Sequence, residues 1–522
     1  MRRLIRVVAP PALLVLALAG CAGSSGGSGG GSPAATGKTL HLALSADPSP
    51  LDPDTYYEAE GLQITTAAYQ GLLTYAPNSA TLVGALATKW TMSPDGKTYT
   101  FTLRPNVKSS DGTAFDAAAM QASLARRSAL NGGPSYMLAD VASTSAPNPL
   151  TFVVTLKTPV APFLDYLASP YGPVAVSPAA VRTHAVGNDR GAAWLAGHSD
   201  GTGPYQLTSV VKSTKYVLTV NPNYWGPKPY YTEVDFAVVP DFSTQSLELQ
   251  GGQLDMVLHG LNTRDYSSIA AQSGFQVQNF PTLFKVQAWV NPKSAVFGPM
   301  PAREALEKSL DTTALTRQIY GDRATPSTQY YPNGMLPDGA VPDTWTPSPS
   351  ALGTAVSADK NAKVVIGYYG DNSLQQLADT LQVQLQHAGL SATVRPYNAA
   401  QVFALPTTPA QRPDLLLAAM NPDAAHVDTW MSVYQEAHAP VNFLGCAVPA
   451  ADALAQQARN TADAAQSQAL YIKAAKDYQA SLCWIDIADL HDTIAAAGAL
   501  TGWQHELPWV FTVDLATLKP KK

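Results

Sequence analysis

The sequence predicts an α/β protein of more than one domain, and three observations carry that reading. The chain runs to 522 residues. A single hydrophobic core stops growing at about 250–300 residues, so two or three domains are expected. Between residues 97 and 104, Tyr99, Phe101 and Leu103 alternate with threonines, the period-2 pattern of a half-buried strand. From residue 364 the order becomes strand 364–369, helix 374–388, strand 392–396 and apolar strand 414–419, an α/β unit distinct from the N-terminal half.

The remaining elements follow along the chain. Residues 39–44 alternate as a first strand, with turns at Asp47-Pro48-Ser49-Pro50 and at Leu51-Asp52-Pro53. Leu62, Ala68 and Leu72 among small polar residues predict a helix over 60–73. Asp95-Gly96 is a turn dipeptide between strands, its Gly taking a positive φ. Further strands are expected at 152–156, 216–220 and 234–239, and helices at 115–129, 301–320 and 450–480. Pro301 opens its helix in the first turn, where a missing N–H costs nothing. The stretch 326–349 is dense in proline and aperiodic, which predicts a long packed loop. No repeat of fixed period is visible.

Composition narrows the function classes. Hydrophobic residues make up 46% and charged residues 14%, a globular balance that argues against disorder over most of the length. The 33 basic and 39 acidic residues give −6, with no electrostatic reason to expect nucleic acid as a partner. Three cysteines cannot form a disulfide scaffold.

The N-terminus specifies a destination. Arg2, Arg3 and Arg6 precede an apolar run over 7–20, the layout of a secretory signal and short for a spanning helix. Leu18-Ala19-Gly20-Cys21 resembles a bacterial lipobox, which implies a signal peptide over 1–20, cleavage before Cys21 and lipidation of its thiol. The following Gly/Ser tract, residues 21–38 with the cysteine, reads as a flexible tether. It spells G-x-S-x-G at 26–30, but with no strand before it and no helix after it the match is spurious. Cys446 and Cys483 remain, either paired or as two buried thiols.

Several local patterns then fall in one order: Leu51-Asp52-Pro53, Tyr69-Gln70-Gly71-Leu72-Leu73, Leu86-Ala87-Thr88-Lys89-Trp90, the run from Asp95 to Arg104, and Ser110-Asp111-Gly112. After them come Gly201-Thr202-Gly203-Pro204-Tyr205, Asn221-Pro222-Asn223-Tyr224-Trp225, Leu249 with 252–255, and Arg303-Glu304-Ala305-Leu306. In this order the chain resembles the solute-binding proteins of peptide-type ABC importers, the oligopeptide- and dipeptide-binding group, family 5. Trp90, Tyr99 and Trp225 read as core or interdomain packing within that pattern.

The resemblance implies a two-lobed periplasmic-binding-protein-like α/β fold with a hinge, its larger lobe carrying an extra subdomain. It places the first lobe at 39–289 with the subdomain at about 86–200, the second lobe at 290–486, and a return to the first at 487–522. Crossing strands are expected near 286–291 and 485–488. It also implies a peptide or peptide-like solute as ligand, ABC permease and ATPase subunits as partners, a monomeric body, and a lipid anchor as the only membrane contact.

The family's Gly-Trp-x-x-Asp pattern falls on Ala419-Met420-Asn421-Pro422-Asp423, which puts Asp423 at the position that pairs with a peptide's α-ammonium. Ala419 and Met420 replace the Gly-Trp, and His426-Val427 stand where an acidic residue and Pro are usual. Tyr57, Glu58 and Ala59 match the segment that borders the cleft from the first lobe. Candidate ligand-binding residues are therefore Asp423, Met420, Ala419, Asn421, His426, Tyr57, Glu58 and Ala59. Asp423 also reads as the N-cap of a helix over 424–434, and 57–59 as a surface loop. His438 is too distant from His426 for an i, i+4 metal pair. No H-E-x-x-H, C-x-x-C, P-loop or G-x-G-x-x-G pattern lies in a suitable context, so no catalytic residue, metal or cofactor is assigned and the chain is read as a non-enzyme. The alternatives are a secreted lipoprotein hydrolase, a transport-deficient surface receptor, and a binder of a non-peptide ligand such as a metal chelate.

Overall fold

The structure, a computed structural model, describes residues 38–343, 345–355 and 363–521. The expected signal segment, Cys21 and the tether through residue 37 lie outside the described residues.

Three sheets carry the architecture. In the first, Thr39–Leu44 runs parallel to Glu233–Val238, and the sheet continues through Lys215–Val220 to Tyr205–Val211. The second is an antiparallel set in the order Ala87–Met92, Thr98–Leu103, Thr151–Leu156, Val141–Asn148, with the helix Ala117–Leu130 against it. Its threonine alternation works as expected: Tyr99, Phe101 and Leu103 are buried while Thr102 is exposed.

The third sheet has seven strands and holds the α/β unit. Lys363–Tyr369 lies parallel to both Ser391–Pro396 and Leu415–Met420, with the helix Asn372–His387 as the crossover. Leu415 and Leu417 join one core while Leu416 and Ala418 join another, so both faces of this strand are covered. That is why it reads as an unbroken apolar run. Two long strands tie this unit to the rest of the chain. Phe275–Val290 and Trp484–Ala497 pair antiparallel from Phe275↔Ala497 to Trp289↔Trp484, with register shifts between Pro281 and Lys285 and between Val286 and Gln287. The expected crossing segments are parts of these strands.

Capping redraws several helices. The 60–73 helix covers only Leu62–Ala68, because Tyr69 turns extended and Leu73–Tyr75 pairs with Leu82–Gly84 instead. The 301–320 helix is two, Met300–Ser309 and Thr312–Ile319, the second capped by Asp311 accepting from the Ala314 N–H at 2.9 Å. The 450–480 helix is also two, Pro449–Arg459 and Ala464–Ala480, with Asp463 as the internal cap. The proline-rich stretch is packed as expected: Tyr330 and Tyr331 are fully buried within it.

Of the two states open to Cys446 and Cys483, the structure holds the disulfide, closing a separation of 37 residues. A cross-link over a loop of that length stabilises by about 3–4 kcal/mol in the chain-entropy account. Reduction, or the Cys446→Ser/Cys483→Ser pair, should therefore lower the unfolding free energy in a urea melt by that amount, seen as a lower midpoint. An unchanged midpoint together with free thiols in a non-reducing peptide map would show that the bridge is absent.

Candidate functional site

The site begins where the strand Leu415–Met420 ends. In parallel α/β sheets the C-terminal ends of strands open onto ligand crevices. Asp423 sits three residues past that end, 9% exposed. Its Oδ2 accepts hydrogen bonds from the hydroxyls of both Tyr57 and Tyr136. Its backbone carbonyl accepts from Ser169 Oγ at 2.6 Å. One stretch further on, the Ala425 N–H donates to the Tyr75 hydroxyl at 3.0 Å, and that hydroxyl donates to Asp165 Oδ1 at 3.1 Å. Four separate segments of the N-terminal half thus close on one short loop.

Asp423 is not a helix cap. The following helix starts only at Val427, and its N-cap is His426, whose Nδ1 accepts from the Asp428 N–H at 3.1 Å. Asp428 in turn is held by Arg459 Nε, at 2.9 Å to each of its oxygens, and by the Tyr471 hydroxyl at 2.8 Å. The carboxylate a cap would have used is free to face the Tyr57 and Tyr136 rings.

Both tyrosines are placed by the helix Ala117–Leu130. Its Arg126 grips Asp52 through two nitrogens, at 2.8 and 2.6 Å, and Asp54 at 2.5 Å. Arg127 Nε reaches Asp54 at 3.0 Å, while its other nitrogens donate to the carbonyls of Pro53 at 2.8 Å and Tyr171 at 2.6 Å. The 52–54 segment fixed in this way leads to Tyr57, whose ring packs edge-on against Tyr171 at 5.0 Å. The same helix ends at Asn131 in the left-handed region, and the 3₁₀ turn Gly133–Leu138 then presents Tyr136. A Cβ on Gly132 would lie 2.9 Å from the Thr55 methyl, and one on Gly133 3.1 Å from Tyr57 Cβ. The two glycines let these segments touch.

Residues 81–439 match the profile described as bacterial extracellular solute-binding proteins, family 5 Middle. The chain belongs to this family. Family 5 relatives include the probable D,D-dipeptide-binding periplasmic protein DdpA of Escherichia coli strain K12, 30% identical over 329 residues. That match spans 62% of this chain and 62% of DdpA. Among solved structures, DppA from Helicobacter pylori in complex with the peptide STSA superposes with a TM-score of 0.77. It is 21% identical and covers 93% of this chain and 98% of DppA. NikA from Brucella suis in complex with Fe(III)-EDTA gives a TM-score of 0.81 at 18% identity, covering 92% of this chain and 100% of NikA. The fold is the two-lobed one of these family 5 proteins.

Within that family 5 frame, the residues singled out from sequence separate. Asp423 and Tyr57 meet directly. Asn421 is alongside: its carbonyl accepts from the Tyr434 hydroxyl at 2.7 Å, and its buried Oδ1 has no hydrogen-bond partner. Ala419 and Met420 are strand residues packed into the two cores, opposite Val286 and Lys285. His426 is a cap with its ring edge-on to Tyr471. Glu58 accepts from the Ser49 N–H at 3.1 Å and Ala59 bonds back to Leu62 at 3.1 Å, so these two shape their own loop. Tyr136, Ser169, Tyr171 and Tyr434 were not foreseen. Nothing local in the sequence distinguishes them from packing tyrosines and serines.

Electrostatically the site is a desolvated acid. Burial pushes the Asp423 carboxyl above the ordinary aspartate range, and the hydrogen bonds from Tyr136 and Tyr57 work against that rise. Burial, and then the nearby carboxylate, raises both tyrosine hydroxyls. Among the described residues no Lys, Arg or His forms an ion pair with Asp423. The arrangement is suited to receiving a cation on the second carboxylate oxygen, since Oδ2 already carries two donors. Removing Arg127 should disrupt it indirectly. Arg127→Met leaves Asp54 buried with one fewer partner and is expected to cost about 3–5 kcal/mol in a urea melt. A cost below about 1 kcal/mol would mean the cluster is dispensable.

Proposed function

We propose that the chain is the lipid-anchored extracytoplasmic receptor of an ABC importer, capturing a peptide or peptide-like amine between two lobes and handing it to the permease. The supporting observation is Asp423: a buried carboxylate with no cationic partner among the described residues, met by Tyr57 and Tyr136 on one oxygen only. A ligand ammonium is the group that completes such a site. We assign the first lobe to 39–289 and 487–522, with an inserted subdomain at about 86–200, and the second to 290–486. The long strands Phe275–Val290 and Trp484–Ala497 form the connection about which the lobes open. Among the described residues no helix is long and apolar enough to cross a membrane, so on this reading Cys21 supplies the attachment.

Calorimetry on a dipeptide and its N-acetylated form tests the ammonium site. The free dipeptide should bind and the acetylated one should lose about 2–5 kcal/mol, some 30- to several-thousand-fold. Asp423→Asn should erase that difference while keeping or raising the melting temperature, because it removes a buried charge and retains an acceptor for the tyrosines. The pH dependence has a definite sign. Asp423's proton affinity in the folded state is raised, so its charge is lost as pH falls through a value above that of an exposed aspartate. Affinity for the free dipeptide should fall with it, while binding of the acetylated form stays flat. Equal binding of both forms by the parent protein would favour a ligand without an amine, such as a metal chelate.

Attachment is tested by fractionation. Cys21→Ser should release the protein from the membrane fraction, since stable attachment needs more than one acyl chain and the variant has no diacylglyceryl cysteine. Mass spectrometry that finds an unmodified Cys21 in the mature parent protein would overturn this part of the reading.

A further inference from the structure

One surface that shares no residue with the Asp423 site has an unusual make-up for a chain of net charge −6. A groove of about 710 Å³ is lined by Lys38, Lys228 and Lys519, with Tyr230 and Trp503 between them and no acidic residue in its lining. All three lysines are exposed, as is Tyr230 at 45%. Each lysine is held on a different firm segment. The Lys38 carbonyl accepts from the Thr232 N–H at 2.7 Å, Lys228 sits between Pro227 and Pro229, and Lys519 lies in a strand paired with Leu500–Thr501. The positive charge is therefore a fixed feature of the surface.

Its position says what it would meet. Lys38 follows directly on the Gly/Ser tract that joins the body to Cys21, residues 22–37. If Cys21 is in the bilayer, the groove at the root of the tract is the part of the body held nearest the headgroups. Lysines flanked by Tyr and Trp match that environment, since basic side chains are drawn to anionic lipid and amphipathic rings settle at the headgroup level.

We propose that this groove seats the body on anionic phospholipid headgroups. The proposal rests on the anchored-receptor reading above. Its consequence is orientational: a second, weak contact beside Lys38 holds one face of the body down and the opposite side free.

The test uses the full chain with phosphatidylcholine vesicles, alone or containing phosphatidylglycerol. The parent protein should partition more strongly onto the phosphatidylglycerol vesicles, and added salt should remove the difference. The variant Lys38→Gln/Lys228→Gln/Lys519→Gln, altered only at exposed side chains, should lose about fivefold per lysine, or roughly 100-fold, on anionic vesicles and nothing on neutral ones. The N-terminal apolar run contributes equally to parent and variant, so the comparison isolates the groove. Acetylation footprinting should show Lys38, Lys228 and Lys519 protected on anionic vesicles, with exposed Lys473 and Lys476 as internal controls. Equal partitioning of parent and variant, uniform labelling of all five lysines, or protection by inorganic phosphate but not by vesicles would each overturn the proposal. If Cys21 is lipidated and the vesicle difference is missing, this inference alone falls. An unmodified Cys21 would remove its premise, whatever the vesicles show.

Discussion

The arrangement around Asp423 depends on the buried pairing of Arg126 and Arg127 with Asp52 and Asp54. Burial raises the Asp54 carboxyl and lowers the Arg127 guanidinium, each against the pull of its partner. At these two groups desolvation is the larger effect, whereas at Arg126 the pull of Asp52 and Asp54 outweighs it and raises the guanidinium. A well-packed apolar set could be as stable. What an apolar set could not do is aim. Arg127 reaches the carbonyls of Pro53 and Tyr171 as well as Asp54, so one planar guanidinium fixes the segment leading to Tyr57 and the ring against which Tyr57 packs. Tyr57 and Tyr136 remain 42% and 38% exposed. They are surface side chains whose geometry is set from below by a charge cluster.

A second cluster lies where the long strands cross. Lys285 is fully buried, its Nζ 2.8 Å from Asp489 Oδ1 and 3.5 Å from Asp486 Oδ2, and it donates to Ser327 Oγ at 2.8 Å and the Gln329 carbonyl at 2.9 Å. Burial acts to lower its proton affinity, but Asp486 and Asp489 outweigh that and raise it. The ammonium joins both long strands to the proline-rich loop. Lys285 is also the register partner of Met420, three residues before Asp423. This cluster and the strand leading to the Asp423 loop therefore share one backbone ladder.

What could be read from sequence followed interaction range. The strand at residues 98–103 and the α/β unit were legible because period-2 alternation and an apolar run between turns are local signals. Helix boundaries inside 301–320 and 450–480 were missed because Asp311 and Asp463 look like ordinary polar positions until their side chains are seen to cap. Asp423 was located through an aligned pattern, yet its competing role as a cap could be settled only by seeing His426 take that place. Tyr136 was invisible: it lies 287 residues from Asp423, and only the backbone route from Arg127 through Gly132 and Gly133 connects them. Those adjacent glycines, following a predicted helix, were the one signal that a close approach was required there.

The contacts across the site also bear on how a ligand would act on it. Two of them use backbone groups of the Asp423 loop: Ser169 with the Asp423 carbonyl, and Tyr75 with the Ala425 N–H. Both are independent of a ligand's side chains, so on the proposed reading, in which two lobes close, part of the closing free energy would belong to the protein itself. On the proposed two-lobed reading, a ligand shifts the balance between open and closed forms by no more than its preference for the closed one. On that reading an ammonium on Asp423 is well placed to do this, since it adds a charge interaction at a carboxylate that is already buried. Side chains farther along the ligand would add little to the choice between open and closed. On the proposed receptor reading, such a site reads a common end group strongly while accepting variety beyond it.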